Sequence, residues 1–521
     1  MTLKGEIKKG LYFDSVTLMI VGRDLSATQG VLDAAVVMGT KENRAILEAS
    51  GLWQAMFEGT DDTDLLLAVK AESEEAASKA LAAAEQQFKK VRSQAESVEE
   101  VRPRSLSAAL KALPGANVAL ISVAGRYAGD EAMKALEAGL HVMLFSDNVP
   151  IETELGLKRF AAGKGLLVMG PDCGTAIING VPLAFANVVG RGDIGIVAAA
   201  GTGLQEVSTI ISNAGAGISQ AIGTGGRDVK KDIGGIMFIM GIRALMEDEA
   251  TRVIVLVSKP PHDSVLEKIG KALKGVRKPV IAVFLGADAE RVKRYGMLPA
   301  ATLDEAALMA VALSKGSDAG AARKGLDARD AKLADEARRE ASRAAKGQKY
   351  VRGLFSGGTF CTEAQLVFHG LKVAGVHSNV PLAPSVAMAD AWKSCEHTII
   401  DLGDDAFTVG RPHPMIDFSL RNRRILDEAR SPETAVILLD VVIGHGSNMD
   451  PVGELAPVIR DALKTAEAAK RRLVVACSVT GTPKDPQDRT KVEKGLKDAG
   501  ARIFESNAAA CAFAARMASN L

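Results

Sequence analysis

Aromatic residues, paired cysteines and an excess of charge of either sign are all scarce in this chain of 521 residues. Phe, Trp and Tyr supply only 4% of the residues, so aliphatic side chains must fill the strands, as they do in parallel sheets covered on both faces. The 64 basic and 63 acidic residues leave a net charge of +1, which gives no electrostatic reason to expect nucleic acid or an anionic membrane as a partner. The composition therefore predicts an α/β protein that acts on small molecules.

Two further absences narrow the class of protein. The cysteines include no C-x-x-C pair, which argues against a disulfide framework and a zinc site; they are Cys173, Cys361, Cys395, Cys477 and Cys511. Charged residues such as Asp14 and Arg23 interrupt the apolar sequence after the N-terminus, so no signal peptide or membrane span is expected. We predict a cytoplasmic protein with no bound metal and no membrane partner.

The chain is too long for one core, and its pattern of short strands and helices predicts several parallel-sheet domains. We expect a multidomain α/β protein with Rossmann-like and flavodoxin-like sheets. The expected domains are a small βαββαβ domain over 1–95, a Rossmann-like domain over 104–186, parallel-sheet domains over 187–315 and 349–521, and a charged linker, helical or loose, over 316–348. Within the first domain, the apolar run Ser15–Val21 is expected to be a strand.

Two glycine-rich turns follow apolar strands and lead into helical patterns. The first contains Gly201, Thr202 and Gly203, and the second contains Gly444, His445, Gly446 and Ser447 before a helix predicted to begin near Gly453. The free N–H groups at such helix starts favour phosphate or carboxylate. The alternative is that each turn only connects a strand to a helix.

Other candidates lie in loops. Gly225 and Arg227 occupy a further glycine turn, and Lys259 follows the strand Val253–Val257, so both cations can assist developing negative charge. Cys173 is either a nucleophile or a small packed residue. Each remaining candidate also has a functional and a structural reading: His413 and His445 as bases or structural histidines, Arg411 as a carboxylate ligand, and Asp401, Asp404 and Asp405 as metal ligands or turn caps.

The order of these segments resembles the succinyl-CoA synthetase superfamily, and within it the FdrA family. Gly170-Pro171-Asp172-Cys173-Gly174 stands where the CoA-binding domain of the α subunit has G-P-N-C-P-G, and Gly195 to Thr202 stands where its ligase domain has G-I-V-S-R-S-G-T. Residues 353–515 resemble the ligase domain of the β subunit. The FdrA resemblance depends on longer words, which are Tyr12 to Val16, Gly170 to Gly180 and Gly410 to Asp417.

The resemblance implies α-like and β-like ligase halves in one chain, but with altered chemistry. No histidine occurs between His262 and His369, where the family's phosphohistidine is expected, and Lys259 aligns near the glutamate that orients it. There is no room for an ATP-grasp domain, and no G-x-x-x-x-G-K-[ST] loop occurs. The phosphohistidine relay is therefore expected to be absent.

FdrA proteins are associated with carbamoyl transfer between carbamoyl phosphate and oxamate or oxalurate in allantoin breakdown. The resemblance thus implies a subunit of a carbamoyltransferase-like complex, although the S-T-R-T word of ordinary transcarbamoylases is absent. No cofactor is certain; carbamoyl phosphate is the expected substrate, CoA is possible, and other subunits of a hetero-oligomer or further copies of the chain are expected partners. Acyl-CoA ligation or CoA transfer, and a non-catalytic scaffolding role, remain open.

Overall fold

The computed structural model describes residues 1–11, 13, 15–26, 28–40, 43–44, 47–48, 50–96, 103, 105–408 and 412–521. The chain forms two compact units. The first contains residues 1–116 and 405–413, and the second contains residues 117–404 and 414–521. In these described ranges, no helix combines the length and the apolar character that crossing a membrane requires.

The first unit is built on an antiparallel sheet of order β1-β3-β2. Its labelled elements are β1 (Thr2–Lys8), α1 (Ser15–Ser26), β2 (Val31–Met38), β3 (Leu65–Ala71), α2 (Glu74–Glu96) and α3 (Leu106–Ala112), with a short helical turn at Asp405–Thr408. The predicted strand at Ser15–Val21 is wrong, because this segment begins α1. Leu18, Val21 and Leu25 recur at helical spacing and are buried, and a short apolar run alone does not distinguish a strand from a helix.

The second unit begins with a small parallel sheet of order β4-β5-β6, the Rossmann-like part. Its elements are β4 (Val118–Ile121), α4 (Gly125–Glu137), β5 (His141–Leu144), α5 (Ile151–Gly163) and β6 (Val168–Met169). The hairpin that follows, β7 (Thr175–Ile178) and β8 (Val181–Ala184), joins the next sheet by pairing with β10 (Ile218–Gly223). The first ligase-type sheet therefore extends back to Thr175 rather than beginning after residue 186.

That next sheet has the order β13-β12-β11-β9-β10-β7-β8. Its further elements are β9 (Arg191–Ala198), α6 (Gly201–Asn213), α7 (Ile236–Glu247), β11 (Val253–Ser258), α8 (Asp263–Ala272), β12 (Val280–Phe284), α9 (Ala289–Lys293), β13 (Leu298–Pro299) and α10 (Leu303–Ser314). A long helix, α11 (Ala319–Ala341), occupies most of the predicted linker and packs on α10, with Leu333 and Ala337 in the core.

The last sheet has the order β16-β15-β17-β14-β18-β19-β20. Its elements are β14 (Tyr350–Phe355), α12 (Gly358–Gly370), β15 (Val376–Ser378), β16 (Val386–Ala387), β17 (His397–Asp401), α13 (Ser419–Arg430), β18 (Thr434–Val442), α14 (Pro451–Ala468), β19 (Val474–Thr480), α15 (Arg489–Asp498), β20 (Arg502–Phe504) and α16 (Asn507–Ala518). The series β13-β12-β11-β9-β10 and β20-β19-β18-β14-β17 correspond strand by strand, and each has the flavodoxin-like order. The expected fold class is confirmed.

The two larger sheets share one hydrophobic core. The core includes Ile196 and Val255 of the first sheet, Leu438 of the second, and helix residues such as Val207 and Phe360. The α-like and β-like halves are therefore packed against each other as parts of one folded unit.

Two buried glutamates cap helices reciprocally across this junction. Glu206 on α6 accepts the N–H of Asn507, the first residue of α16, at 3.0 Å. Glu363 on α12 accepts the N–H of Leu303, the first residue of α10, at 2.7 Å. Each glutamate occupies the sixth position of its helix, and each satisfies an N–H that has no partner inside the helix that it caps.

Burial makes these carboxyls hard to ionise. Desolvation, together with the nearby Asp304, raises the pKa of Glu363 to about 8, and desolvation also raises the pKa of Glu206. Glu363 also accepts from Asn507 Nδ2 at 2.7 Å, whereas Asn507 Oδ1 is buried without a partner among the described residues. A rotated Asn507 amide can therefore accept the proton of neutral Glu363.

We predict that the wild type loses stability as the pH rises and that the Glu363→Gln variant does not show this loss. The pKa of Glu363 is higher in the folded state than its ordinary value of 4.5, so unfolding becomes easier between about pH 4.5 and about pH 8, by at most ~1.4 kcal/mol per pH unit. Melting temperatures measured across this range should shift in favour of Glu363→Gln as the pH rises. Glu137→Gln, the same change at an exposed position on α4, is the control; equal pH dependence of all three proteins would contradict the prediction.

Candidate active site

The candidate site lies where the strand order reverses in both larger sheets. In the first sheet, β9 leads into α6 and its neighbour β11 ends next to Lys259. In the second sheet, the reversal lies between β14, which leads into α12, and β18, and β17 ends at Asp401 on the other side of β14. The carboxyl ends of parallel strands at such a reversal are where open α/β sheets bind ligands.

The starts of α6 and α12 touch each other. A Cβ placed on Gly357 would come within 2.7 Å of Thr202 Cγ2, and a Cβ placed on Gly203 would come within 3.1 Å of Thr359 Cγ2. Each helix start thus receives the threonine of the other beside one of its own glycines. Larger residues at these glycines would hold the two helices apart.

Neither helix start is capped by a side chain. The residues that precede α6 and α12, Ala200 and Gly357, make no side-chain cap, whereas Asp450 caps α14 by accepting from Gly453. Gly201 is exposed and Gly358 is half-buried, so solvent reaches both helix starts. Two adjacent, open helix N-termini favour an anion between them more than either does alone.

Lys259 and Asp401 meet beside the start of α12. The position of a Cβ on Gly358 lies 2.7 Å from Asp401 Oδ2 and 3.6 Å from Lys259 Nζ. Asp401 is buried and Lys259 is exposed. The structure thus brings Lys259 together with the predicted Gly201-Thr202-Gly203 turn, through the start of α12.

The turn before α12 is held by a buried charged group. Asp440 accepts the N–H of Ser356 at 2.8 Å and also its hydroxyl proton. Fully buried Arg421 lies 3.6 Å from the same carboxylate and donates to the Asp440 carbonyl at 2.6 Å. Burial raises the pKa of Asp440, and this arginine together with Ser356 opposes that rise. These contacts fix the path of the chain from β14 into α12.

The second predicted anion seat is not a helix start. Helix α14 begins at Pro451, and the carboxylate of Asp450 already occupies its N-terminus. Gly444 donates its N–H to Gln487 Oε1 at 3.0 Å, and His445 donates its N–H to Ala186 at 2.9 Å. The backbone of this loop is therefore committed to neighbouring segments.

The side chains of this loop differ in their surroundings. Gly446 is exposed, with φ +77°, and a Cβ placed on it would meet the ring of Phe185 at 2.7 Å. His445 is exposed, and Ser447 is buried with no partner for its hydroxyl among the described residues. The loop thus packs on the segment between β8 and β9 rather than opening a second phosphate seat.

Arg227 belongs to a buried charged network between the Rossmann-like part and the first larger sheet. Its Nε lies 2.8 Å from Glu154, and its NH2 donates to Val149 at 2.8 Å. Lys158, fully buried, donates to Glu154 and Asp228 at 2.8 Å and to Thr224 at 3.0 Å. Both contacts of Arg227 favour a structural role over the predicted role as a cation that binds phosphate or substrate.

Gly225 and Cys173 are packing residues of the same region. A Cβ placed on Gly225 would come within 2.3 Å of the Pro171 carbonyl, so this glycine lets two backbones meet. Cys173 is buried and donates to the Thr175 carbonyl at 3.5 Å, and desolvation raises its pKa to about 12. A thiol that remains protonated is a poor nucleophile, so the packed alternative is favoured.

The remaining candidates lie elsewhere. His413 belongs to the first unit, where it is half-buried, and Arg411 lies outside the described residues. Sequence reasoning missed Ser356-Gly357-Gly358-Thr359, although this word repeats the pattern of Ala200-Gly201-Thr202 after an apolar strand.

The comparisons with known proteins agree with this organisation. A CoA-ligase family model matches residues 354–517, and a model described as AllF, heavy metal-associated domain matches residues 1–103. Over 185 residues the chain is 29% identical to the succinate–CoA ligase (ADP-forming) subunit alpha 1 of Archaeoglobus fulgidus, covering 35% of this chain and 62% of that one. The class of the protein is therefore succinyl-CoA synthetase-like.

The particular family follows from a longer match. The chain is 42% identical over 509 residues to the uncharacterized protein YahF of Escherichia coli, covering 97% of each chain. The chain belongs to the FdrA family of succinyl-CoA synthetase-like proteins. The crystal structure of PH0766 from Pyrococcus horikoshii aligns over 81% of this chain and 88% of its own, at 17% identity and a TM-score of 0.34.

The residues matched by the heavy metal-associated model do not suit a soft metal ion. Residues 1–103 contain neither cysteine nor histidine. Thiolate and imidazole are the ligands that select such ions, and no group of three or more candidate ligands occurs among the described residues.

We predict that Gly357→Ala and Thr202→Ala are energetically coupled. The alanine methyl group would collide with Thr202 Cγ2 and cost about 1–3 kcal/mol of stability, and Thr202→Ala removes the colliding atoms, so the double variant should recover much of the loss. Unfolding of the four proteins by denaturant measures the coupling. Gly370→Ala, at the end of α12 with open space around it, is the control, and its effect on the free energy of unfolding should add to that of Thr202→Ala. If the effects of Gly357→Ala and Thr202→Ala were also additive, the helix starts would not touch.

Proposed function

We propose that this chain is the FdrA-type subunit of a carbamoyltransferase-like complex. It moves a carbamoyl group between carbamoyl phosphate and a small acid such as oxamate, with oxalurate as the carbamoylated form, in purine and allantoin nitrogen catabolism. The observation that carries the proposal is the pair of uncapped helix starts that meet beside Lys259. The match of residues 1–103 to a domain named for AllF also supports it.

The geometry suits a substrate that brings its own phosphate. The phosphate of carbamoyl phosphate lies between the N-termini of α6 and α12, where N–H groups and the helix dipoles stabilise its charge. Lys259 balances the negative charge that develops on the leaving phosphate. The acceptor nitrogen attacks the carbamoyl carbon, a C–N bond forms, and the C–O bond to phosphate breaks.

This route needs no phosphorylated histidine. The loop from β12 to β13, near which the superfamily carries that histidine, has none in this chain. A phosphate held by two helix starts leaves directly from the substrate, so the ancestral phosphate site serves a single-step transfer. The catalytic complex is completed by partner subunits, or by further copies of the chain.

Acyl-CoA ligation is the second candidate, favoured by the CoA-ligase match over residues 354–517. It requires CoA and a nucleotide, and the nucleotide site would have to come from another chain. A scaffolding subunit is the third candidate, and it would bind none of these molecules. Ligand binding by the full chain separates the three.

We predict that carbamoyl phosphate raises the melting temperature of the full chain and that Gly201→Pro abolishes the shift. Gly201 is the first residue of α6 and follows an extended residue, so proline fits there and removes one N–H while leaving the helix intact. At about 100 times the Kd, the ligand should add ~2.7 kcal/mol of stability to the wild type.

Two matched controls sharpen this experiment. Gly201→Ala keeps the N–H and meets only Thr175 Oγ1, at 3.8 Å, so it should retain the shift. Lys259→Met should weaken binding, and Lys271→Met, which removes an exposed lysine of α8, should not. A shift with CoA and not with carbamoyl phosphate would favour acyl-CoA chemistry, and no shift with any ligand would favour the scaffold.

A further inference from the structure

Asp401 is a buried carboxylate. One of its oxygens accepts a hydrogen bond from the backbone, and the other faces the candidate site. Oδ1 accepts the N–H of Gly403 at 2.9 Å. Oδ2 points at the start of α12, 2.7 Å from the position of a Cβ on Gly358, and makes no hydrogen bond with the described residues. Asn379 clamps the backbone of Asp401 through two hydrogen bonds of 3.0 Å, so the carboxylate is held in place.

The absence of a side chain at Gly358 keeps this oxygen accessible from the helix start. Any larger residue would contact Oδ2 directly and separate it from the space shared with Lys259. The carboxylate is therefore placed beside the proposed phosphate seat, where a second reactant must approach the substrate.

We propose that Asp401 is the general base of the transfer and takes the proton that the acceptor nitrogen loses as it attacks the carbamoyl carbon, an assignment that rests on the proposed carbamoyl transfer. An amide nitrogen becomes a competent nucleophile only as its proton leaves, and a positioned carboxylate supplies that acceptor. Lys259, which lies near the same position at Gly358, serves the leaving phosphate.

The step balances without a further reactant. The nitrogen–carbon bond forms, the carbon–oxygen bond to phosphate breaks, the bonding pair leaves with the phosphate, and the proton passes from nitrogen to Asp401 Oδ2. In the opposite direction, the protonated carboxyl returns the proton to the departing nitrogen while phosphate attacks the carbamoyl carbon. The proton on Asp401 then exchanges with solvent between turnovers.

The groups around Asp401 give it a pKa that suits both directions of the transfer near neutral pH. Burial raises its pKa to about 6, the N–H of Gly403 and the charge of Lys259 oppose that rise, and the carboxylates of Asp404 and Asp440 add to it. The charged groups that face Asp401 are Lys259 from the end of β11, Asp440 from β18 and Asp404 from the loop after β17. A group with this pKa is mostly ionised at neutral pH and is still able to donate a proton.

The test measures carbamoyl transfer by the assembled complex containing the full chain, from about pH 5 to about pH 9. Asp401→Asn keeps an oxygen for the Gly403 N–H and removes the base, so kcat should fall by about 10²–10⁴ while the KM for carbamoyl phosphate and the melting temperature stay near wild type. The acidic limb of the wild-type profile, with an apparent pKa of about 6, should disappear.

Two further variants exclude a merely structural role. Asp404→Asn, the same change three residues later, should keep the rate and move the acidic limb to lower pH, because it removes a charge that raises the pKa of Asp401. Asp401→Ala should regain rate as formate is added, because formate can occupy the vacated space and accept the proton. Formate should not accelerate the wild type or Asp401→Asn.

The outcomes separate the two proposals. If the wild-type complex transfers the carbamoyl group and the Asp401→Asn complex transfers it equally fast with the acidic limb retained, the assignment of the base is overturned. The proposed carbamoyl transfer then still stands. A wild-type complex that neither binds carbamoyl phosphate nor transfers its carbamoyl group overturns both.

Discussion

The reciprocal capping by Glu206 and Glu363 is the interaction on which the arrangement of the second unit depends. Each glutamate lies within a helix whose N-terminus forms the candidate site, and each reaches across to the first N–H of a helix in the other half. Because a buried carboxyl group and a buried helix end are each costly without a partner, one hydrogen bond relieves both. A shift of one half relative to the other would break both caps together, so these caps also keep the two helix starts in contact.

The candidate site uses the same symmetry and then departs from it. Thr202 lies against Gly357 and Thr359 lies against Gly203, so both halves make the same kind of contact. At the strand ends they differ, because Lys259 and Asp401 both gather at the start of α12. In the proposed carbamoyl transfer, the symmetric pair of helix starts holds the phosphate, which has no handedness of its own, and the unequal charges beside it distinguish the leaving phosphate from the approaching acceptor.

Strands and helices of the larger sheets were predictable because their apolar runs are long and end at glycine. The strand β18 and the helix start at Gly201 are of this kind, and the fold class followed from them. The segment Ser15–Val21 failed because a seven-residue apolar run suits a helix face as well as a strand. The Gly444 turn looked like a helix start in sequence, and only the position of Asp450 three residues beyond Ser447 shows that the N-terminus of α14 is already occupied.

The chemistry of the site could be predicted only in part. Lys259 was recognised because it ends a strand, and Gly201 because it opens a helix. Asp401 was predicted only as a metal ligand or a turn cap, and Gly358 was not singled out, because their proximity to Lys259 joins strands far apart in sequence. The turn alone suggested that Arg227 assists developing negative charge. Its partners Glu154 and Val149 lie more than seventy residues earlier, so these contacts could not be inferred from the turn.

The helix α11 gives the fused chain a property that separate subunits lack. It runs from one half to the other, and Arg329 on it lies 2.5 Å from Asp304 while Arg516 of α16 lies 3.2 Å from Asp330 on it. With both helix starts in one polypeptide, their encounter is intramolecular, and linking two parts of a chain corresponds to an effective concentration on the order of millimolar. The two helix starts therefore stay together however dilute the protein becomes, and mutations that weaken the contact between the halves are buffered by the covalent connection.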